Sequence, residues 1–351
     1  MGKRIKIIIV FVFAASALLS AYIYVSFFTP VSMEDGIKTI EIERGASFRM
    51  VATELERKGI IRSAESFSLA ARVLNAYKAV KAGEYEFSSG LSQMDVLQML
   101  VKGRVKKHMI TVPEGYNIRD IGALLEREGL VKKADFIERA YDKDIAASFG
   151  IQGPTLEGYL FPDTYSFTKG LTPDEIIEKM TGRFKEVFFR DFEGPTHEKG
   201  LSMKWVITLA SIIEKETGAP EERGLISAVF HNRLKKGIRL QSDPTVIYDI
   251  EDFDGNLKKR HLTAKTPYNT YVKYGLPPGP IASPGRDSIR AAIMPAEGDY
   301  IYFVSKNDGT HYFSKTLKEH NIAVQRYQKQ TRPSLKGPRA RLWKNPTRKA
   351  A

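Results

Sequence analysis

Residues 45–67 read GASFRMVATELERKGIIRSAESF, and residues 115–137 read GYNIRDIGALLEREGLVKKADFI. At an offset of seventy residues, Gly45/Gly115, Arg49/Arg119, Leu55/Leu125, Glu56/Glu126, Arg57/Arg127, Gly59/Gly129 and Ala64/Ala134 are identical. Each copy reads as a capped amphipathic helix, a glycine stop and the start of a second helix. Identities held in register indicate a duplicated small module, and two copies are too few for a solenoid. The flanks extend the pattern. IKTIEIE before the first copy reads as a strand, Ser47 as an N-cap and ESFSLAARVLNAY as a second helix. GEYEF then alternates as a strand, and Ser92 opens another helix with Asp95 three residues on. Strands and helices interleaved over such short distances define an α+β fold.

The N-terminus sets where this fold resides. Lys3, Arg4 and Lys6 precede residues 7–28, IIIVFVFAASALLSAYIYVSFF, a run without charge. About 20 apolar residues suffice to cross a bilayer as a helix. Tyr22 and Tyr24 near its far end suit the membrane interface, and the basic flank keeps the N-terminus cytoplasmic. A cleavable signal is the competing reading, with Ala15-Ser16-Ala17 as its cleavage site. The apolar run continues past that site and favours a retained anchor.

Composition narrows the partners. The net charge is +13, from 54 basic and 41 acidic residues, which favours anionic surfaces and polymers. Export of the chain argues against nucleic acid. The absence of cysteine excludes disulfides, thiol catalysis and cysteine-ligated metal. His108, His197, His231, His261, His311 and His320 show no metal-ligand spacing, and His311 before Tyr312 and Phe313 reads as a strand histidine. Phosphate-loop, dinucleotide, HExxH and GxSxG patterns do not occur.

Beyond about residue 150 the texture changes. LEGYLFPDTYSF reads as an extended, partly buried segment, and Thr172-Pro173-Asp174-Glu175 as a helix start. Helices follow at 203–217 and 221–236, then a loop-rich stretch over 239–288 and a hairpin over 300–313 around Asn307-Asp308-Gly309. After His320 no acidic residue occurs, and the basic tail reads as disordered.

The helix ending ASIIEKETG, residues 210–218, carries Glu214 and Glu216. Leu209, Ile212, Ile213 and Glu216 share one face, whereas Glu214 lies about 200° away from Glu216 on a 3.6-residue helix. A carboxyl at the edge of an apolar surface has its ionised form disfavoured and can carry a proton at neutral pH. On helix pattern alone, the solvated end of an amphipathic helix is the better reading of both glutamates. Downstream, LQSDPTVIYDI offers Gln241, Ser242 and Asp243 before a proline and a hydrophobic strand. TPYNTYVKYGLPPGPIASPG offers Tyr268, Asn269 and Tyr271 on a path stiffened by Pro and Gly. Aromatics and amides with few charges suit a sugar; a structural loop packed on the core is the equal alternative.

ASIIEKET, VFHNRL, LQSDPTVIY, TPYNTY, GLPPGPIASPG and YIYFVSKNDGTHYFSKTLKEHN, with LEGYLFPDTY and VPEGYNIRDI upstream, resemble in order and spacing the endolytic murein transglycosylase family (MltG/YceG-like proteins). The resemblance runs from the anchor to about residue 328. It implies a single-pass inner-membrane protein with a LysM-like module and a mixed α/β catalytic domain. The implied organisation is a cytoplasmic stretch 1–6, a transmembrane helix 7–28, a tether 29–37, a LysM-like module 38–107, a catalytic domain 108–328 and a basic tail 329–351. The implied activity is cleavage of the MurNAc–GlcNAc β-1,4 bond of nascent peptidoglycan strands, leaving a 1,6-anhydro end and terminating elongation. It implies no cofactor, and peptidoglycan synthases (penicillin-binding proteins) as partners.

The resemblance also overturns the solvated-end reading. It puts the catalytic glutamate in the EKET block, as Glu216, with Glu214 as the fallback. Gln241, Ser242, Asp243, Tyr268, Asn269 and Tyr271 are the expected sugar-groove residues. Two alternatives stay open: a muramidase-type hydrolase with Glu216 as acid and Asp243 as base, and a non-catalytic glycan-binding scaffold.

Overall fold

The computed structural model describes residues 2–31 and 36–329. Beyond Lys329 the basic tail lies outside the described residues, as do residues 32–35 of the expected tether. In chain order the elements are α1 (Gly2–Phe28), β1 (Ile37–Ile42), α2 (Phe48–Arg57), α3 (Ala64–Val73), β2 (Gly83–Ser88), α4 (Gln93–Lys102) and β3 (His108–Thr111). Next come α5 (Ile118–Arg127), α6 (Lys133–Ala140), α7 (Lys143–Ser148), β4 (Thr164–Phe167), α8 (Pro173–Asp191), α9 (Glu193–Glu198) and α10 (Met203–Glu216). The remainder are α11 (Arg223–Lys235), α12 (Asp243–Tyr248), α13 (Lys259–Leu262), α14 (Arg286–Ile293), β5 (Tyr302–Ser305), β6 (His311–Ser314) and α15 (Leu317–Val324). The chain divides into two units, one of residues 1–110, 125–132 and 165–172, the other of 111–124, 133–164 and 173–351.

In the first unit β1 and β2 pair antiparallel, from Ile37 opposite Ser88 to Ile42 opposite Gly83. Their period of two sends Ile40, Ile42, Tyr85 and Phe87 inward against Val51, Leu55, Phe67, Val96 and Leu100. Phe48 stacks on Phe67 at 5.6 Å and joins the two helices of the first repeat copy. The expected caps form. Ser47 accepts the Met50 N–H, and Ser92 and Asp95 close a capping box.

The repeat survives as structure. Gly45 and Gly115, and Gly59 and Gly129, all have φ between +63° and +81°, in the left-handed region that glycine enters at no steric cost. Both copies run strand, helix, helix: β1–α2–α3 before β2, and β3–α5–α6 before β4 after the inserted α7. β3 and β4 pair with each other, as β1 and β2 do.

α1 is long and apolar enough to cross a membrane, with mean hydropathy 2.4 over Ile5–Phe28. Its last carbonyls lack intrahelical donors. Arg62 supplies them: Nη1 donates to Val25 O (2.7 Å) and Ser26 O (2.9 Å), and Nη2 to Thr29 Oγ1 (2.8 Å) and Pro30 O (2.7 Å). The buried Gln93 adds a bond to Ser26 O at 2.6 Å, and the Val31 N–H donates to Leu91 O. Residues 29–31 are thus hydrogen-bonded to the module rather than free of it. A guanidinium at a helix C-terminus also complements the helix dipole. Arg62→Ala is expected to weaken this joint by on the order of 1.5 kcal/mol, a roughly tenfold loss of protection. Hydrogen exchange at Val31 reads the effect; unchanged protection contradicts it.

In the second unit α10 is the central helix, with Val206, Ile207, Leu209, Ala210, Ile212 and Ile213 all buried. It packs against α9, α11, α12 and α14. Gly158, in the LEGYLF stretch, holds φ +84° so closely against this layer that a Cβ would lie 2.4 Å from Pro280 Cβ. α8 begins at Pro173, and the hairpin β5–β6 turns through Asn307 and Gly309, as expected. One expectation fails. The strand read after Pro244 is the short helix α12, in which Pro244 occupies the first turn, where its missing N–H costs nothing. The β-branched Thr245 and Val246 suggested a strand, but burial against α10 selects the helix.

Candidate active site

α10 ends at Glu216, and its end is held in place from outside. Gly218 has no Cβ because one would lie 2.7 Å from Gly309 O in the β5–β6 turn. Glu222 accepts from both the His311 N–H (2.9 Å) and His311 Nδ1 (2.7 Å), which fastens β6 beside it. His311 is therefore a strand histidine with a carboxylate partner.

Glu216 Oε1 accepts a 2.6 Å hydrogen bond from Ser242 Oγ, at the N-terminal cap position of α12. Burial is the main cause that pushes the Glu216 carboxyl up to about 7; the Ser242 bond and Arg233 oppose it, and Asp243 adds to it. Its position as the last residue of α10 acts in the same direction as burial, because the negative end of the helix dipole disfavours a carboxylate there. The residue keeps partial solvent access, so a substrate oxygen can reach a carboxyl that is half protonated near neutrality.

Glu214 is placed differently. Its Oε2 accepts the Gly285 N–H at 3.0 Å, at the start of α14, and its Oε1 lies 3.9 Å from Arg223. That carboxylate is occupied in joining α10 to α14, on the side of the helix away from Glu216.

The groove candidates fall into two groups. Gln241 and Asp243 are exposed and Tyr271 is half-buried, with Tyr271 OH donating to Asp243 Oδ1 at 2.6 Å. Gln241 holds φ +51°, rare outside glycine. Tyr268 is half-buried, its ring 4.7 Å from that of Tyr248, and its N–H bonds Asp249. Ser242 and Asn269 lie behind this surface. Ser242 spends its hydroxyl on Glu216 and its N–H on Thr270 Oγ1 (3.0 Å). Asn269 is fully buried; its amide donates to His261 O, Leu262 O and Ala264 O, and its Oδ1 accepts the Tyr271 N–H. Asn269 therefore shapes the 261–271 loop and has no donor left for a ligand. Thr270, bonded to both Ser242 and Thr245, ties that loop to α12.

Two further buried groups, Glu157 and Arg233, lie among these elements. Glu157 is 1% exposed and accepts from Tyr248 OH (3.0 Å) and the Ile118 N–H (3.2 Å); burial pushes its carboxyl up to about 7. Tyr248 ends α12, so Glu157 fixes that helix from the end opposite Ser242. The signal available was an acid inside the apolar run LEGYLF. The other group is Arg233, in the VFHNRL stretch, also buried.

Removing the Ser242 hydroxyl takes away the bond that favours the Glu216 carboxylate. Ser242→Ala is therefore expected to move the alkaline limb of the rate profile to higher pH and to slow cleavage by roughly tenfold or more. An unmoved limb, measured as kcat/KM against pH, contradicts this.

A carboxylic acid ends the buried helix α10 and is held by the Ser242 hydroxyl, an arrangement that can supply a proton. The YceG-like family profile matches residues 40–326, and the chain belongs to that family. It is 33% identical over 303 residues to an endolytic murein transglycosylase of Bacillus subtilis, covering 82% of this chain and 84% of that protein. It is 29% identical to one of Streptococcus pneumoniae, again over 82% of this chain but only 57% of that longer protein. The 2.6 Å crystal structure of a YceG-like protein from Listeria monocytogenes superposes with TM-score 0.58 at 34% identity, covering 82% of this chain and 98% of that one.

Proposed function

We propose that the protein is a membrane-anchored endolytic murein transglycosylase that cleaves the MurNAc–GlcNAc β-1,4 bond within nascent glycan strands and so terminates their elongation. The observation that carries the reading is the Glu216–Ser242 pair at the end of α10. Protonated Glu216 donates to the glycosidic oxygen as the C1–O bond breaks, and the bonding pair leaves with that oxygen. The resulting carboxylate takes the proton of the C6 hydroxyl of the same muramic residue, whose oxygen closes onto C1. The nucleophile lies within the substrate, so no second carboxylate is needed to activate water, in contrast to two-carboxylate glycosidases. Proximity supplies what an external nucleophile would lack. Asp243 and Gln241 border the approach, where a carboxylate favours positive charge developing on the sugar ring.

The joint at Arg62 supports a retained anchor over a cleaved signal, since cleavage at Ala15-Ser16-Ala17 would divide a helix whose far end is built into the module. By the family resemblance that β1–β2 module is LysM-like and serves as a second glycan contact, and wall synthases are the expected membrane partners.

The test is digestion of uncrosslinked glycan strands by the full chain in detergent, with products analysed by mass spectrometry. Internal fragments bearing anhydro ends, lighter by one water than reducing ends, are expected. Strands that are bound but remain intact would leave a glycan-binding scaffold as the function.

A further inference from the structure

We infer that Arg233 is a positioning residue for the Glu216 acid: its guanidinium holds the turn that carries Ser242 and places a buried cation near the carboxylate formed when Glu216 gives up its proton. This inference rests on the reading of Glu216 as the general acid.

The geometry has two parts. Arg233, 8% exposed, comes from α11 and donates through Nε to Ile301 O (2.7 Å) and through Nη1 to Leu240 O (2.8 Å) and Arg239 O (3.3 Å). Gln241 Oε1 lies 3.5 Å from the same Nη1. Arg239, Leu240 and Gln241 are the residues just before Ser242, and Gln241 among them holds the unfavourable φ of +51°. Its N–H donates to Thr270 O, so the turn is pinned from both sides. A rigid, forked donor set can satisfy several carbonyls at once, which a lysine ammonium on a flexible stem does not reproduce.

The second part is electrostatic. Arg233 forms no ion pair among the described residues; carbonyls and the face of Tyr302 (5.2 Å) surround it. Burying a guanidinium without a carboxylate partner is costly, so the position is a selected one rather than incidental filling. The charged or titratable groups facing this space are Glu216 from α10, Asp243 from α12, Tyr271 from the loop, Tyr302 from β5 and His320 from α15. Of these charges, Asp243 disfavours ionisation of Glu216 and Arg233 favours it. Proton donation creates charge on Glu216, so a fixed cation there lowers the barrier to the step without itself exchanging a proton.

The experiment compares wild type, Arg233→Gln, Arg233→Lys and Glu216→Gln, all as full chains in detergent, by kcat, KM and the pH profile on uncrosslinked glycan strands. Arg233→Gln is expected to move the alkaline limb to higher pH and to reduce kcat by roughly tenfold or more, with KM within about twofold. Arg233→Lys keeps the limb in place but loses kcat to a similar extent, because the ammonium cannot hold the turn. A folded Arg233→Gln variant with an unmoved limb overturns the inference, as does Arg233→Lys with wild-type kcat. If Arg233→Gln does not fold, the lysine variant alone decides. Glu216→Gln separates the two readings: retained cleavage there sinks the general-acid assignment itself, whereas its loss alongside unaffected Arg233 variants sinks only the present inference.

Discussion

Glu216→Gln is expected to reduce strand cleavage by about 10³-fold, with binding of glycan and folding retained. Glutamine has the shape of the acid and can still accept the Ser242 hydrogen bond through its amide oxygen, so the pocket need not rearrange. What it lacks is a transferable proton. The companion Glu214→Gln is expected to keep cleavage within about tenfold per folded molecule, since its carboxylate is engaged by the Gly285 N–H and Arg223. Its cost appears in stability instead, about 1–2 kcal/mol for a weakened link between α10 and α14. Turnover and melting temperature of the two variants, measured together, check the assignment. The reverse pattern, with activity lost only at Glu214, would mean that the ion-paired carboxylate carries the reaction.

A second large effect concerns stability against pH. Glu157 and Glu216 both have carboxyls raised to about 7 in the folded chain, from 4.5. Groups raised on folding contribute least unfavourably below their unfolded value, and stability is lost as pH climbs from about 4.5 through 7. A shift of this size corresponds to about 3 kcal/mol per group across that window. Glu157→Gln, with an amide oxygen that can still accept from Ile118 and Tyr248, removes that penalty at the group outside the proposed chemistry. The variant is therefore expected to gain melting temperature over wild type at pH 8 but not at pH 5. An equal difference at the two pH values would show that Glu157 does not titrate in this range. The same sign holds for Glu216→Gln, which is expected to gain melting temperature over wild type at pH 8.

How much of this could be read beforehand follows from range. The caps at Ser47 and Ser92, Pro173 at the head of α8 and the hairpin at Asn307–Gly309 are set by residues within four positions of one another, and periodicity finds them. The face of α10 that carries Glu216 was legible for the same reason. The partnership of Glu216 with Ser242 was not, because it joins residues 26 apart through a turn that Arg233 and Thr270 build from elsewhere. Ser242 and Asn269 read as sugar contacts because polar residues in a loop look alike in sequence, and their burial is set by contacts that only the fold supplies. α12 reads as a strand because local β propensity points that way, and packing against α10 decides otherwise.

The most direct test of the single-acid account is cleavage of glycan strands by the full chain in ¹⁸O-enriched water, followed by mass spectrometry of the new ends. If Glu216 takes up the proton of the muramic C6 hydroxyl and ring closure completes the reaction, the new ends carry no ¹⁸O and are lighter by one water than reducing ends. Reducing ends labelled with ¹⁸O would contradict the account, and would mean that water is the nucleophile and that Asp243 beside Glu216 acts as its base.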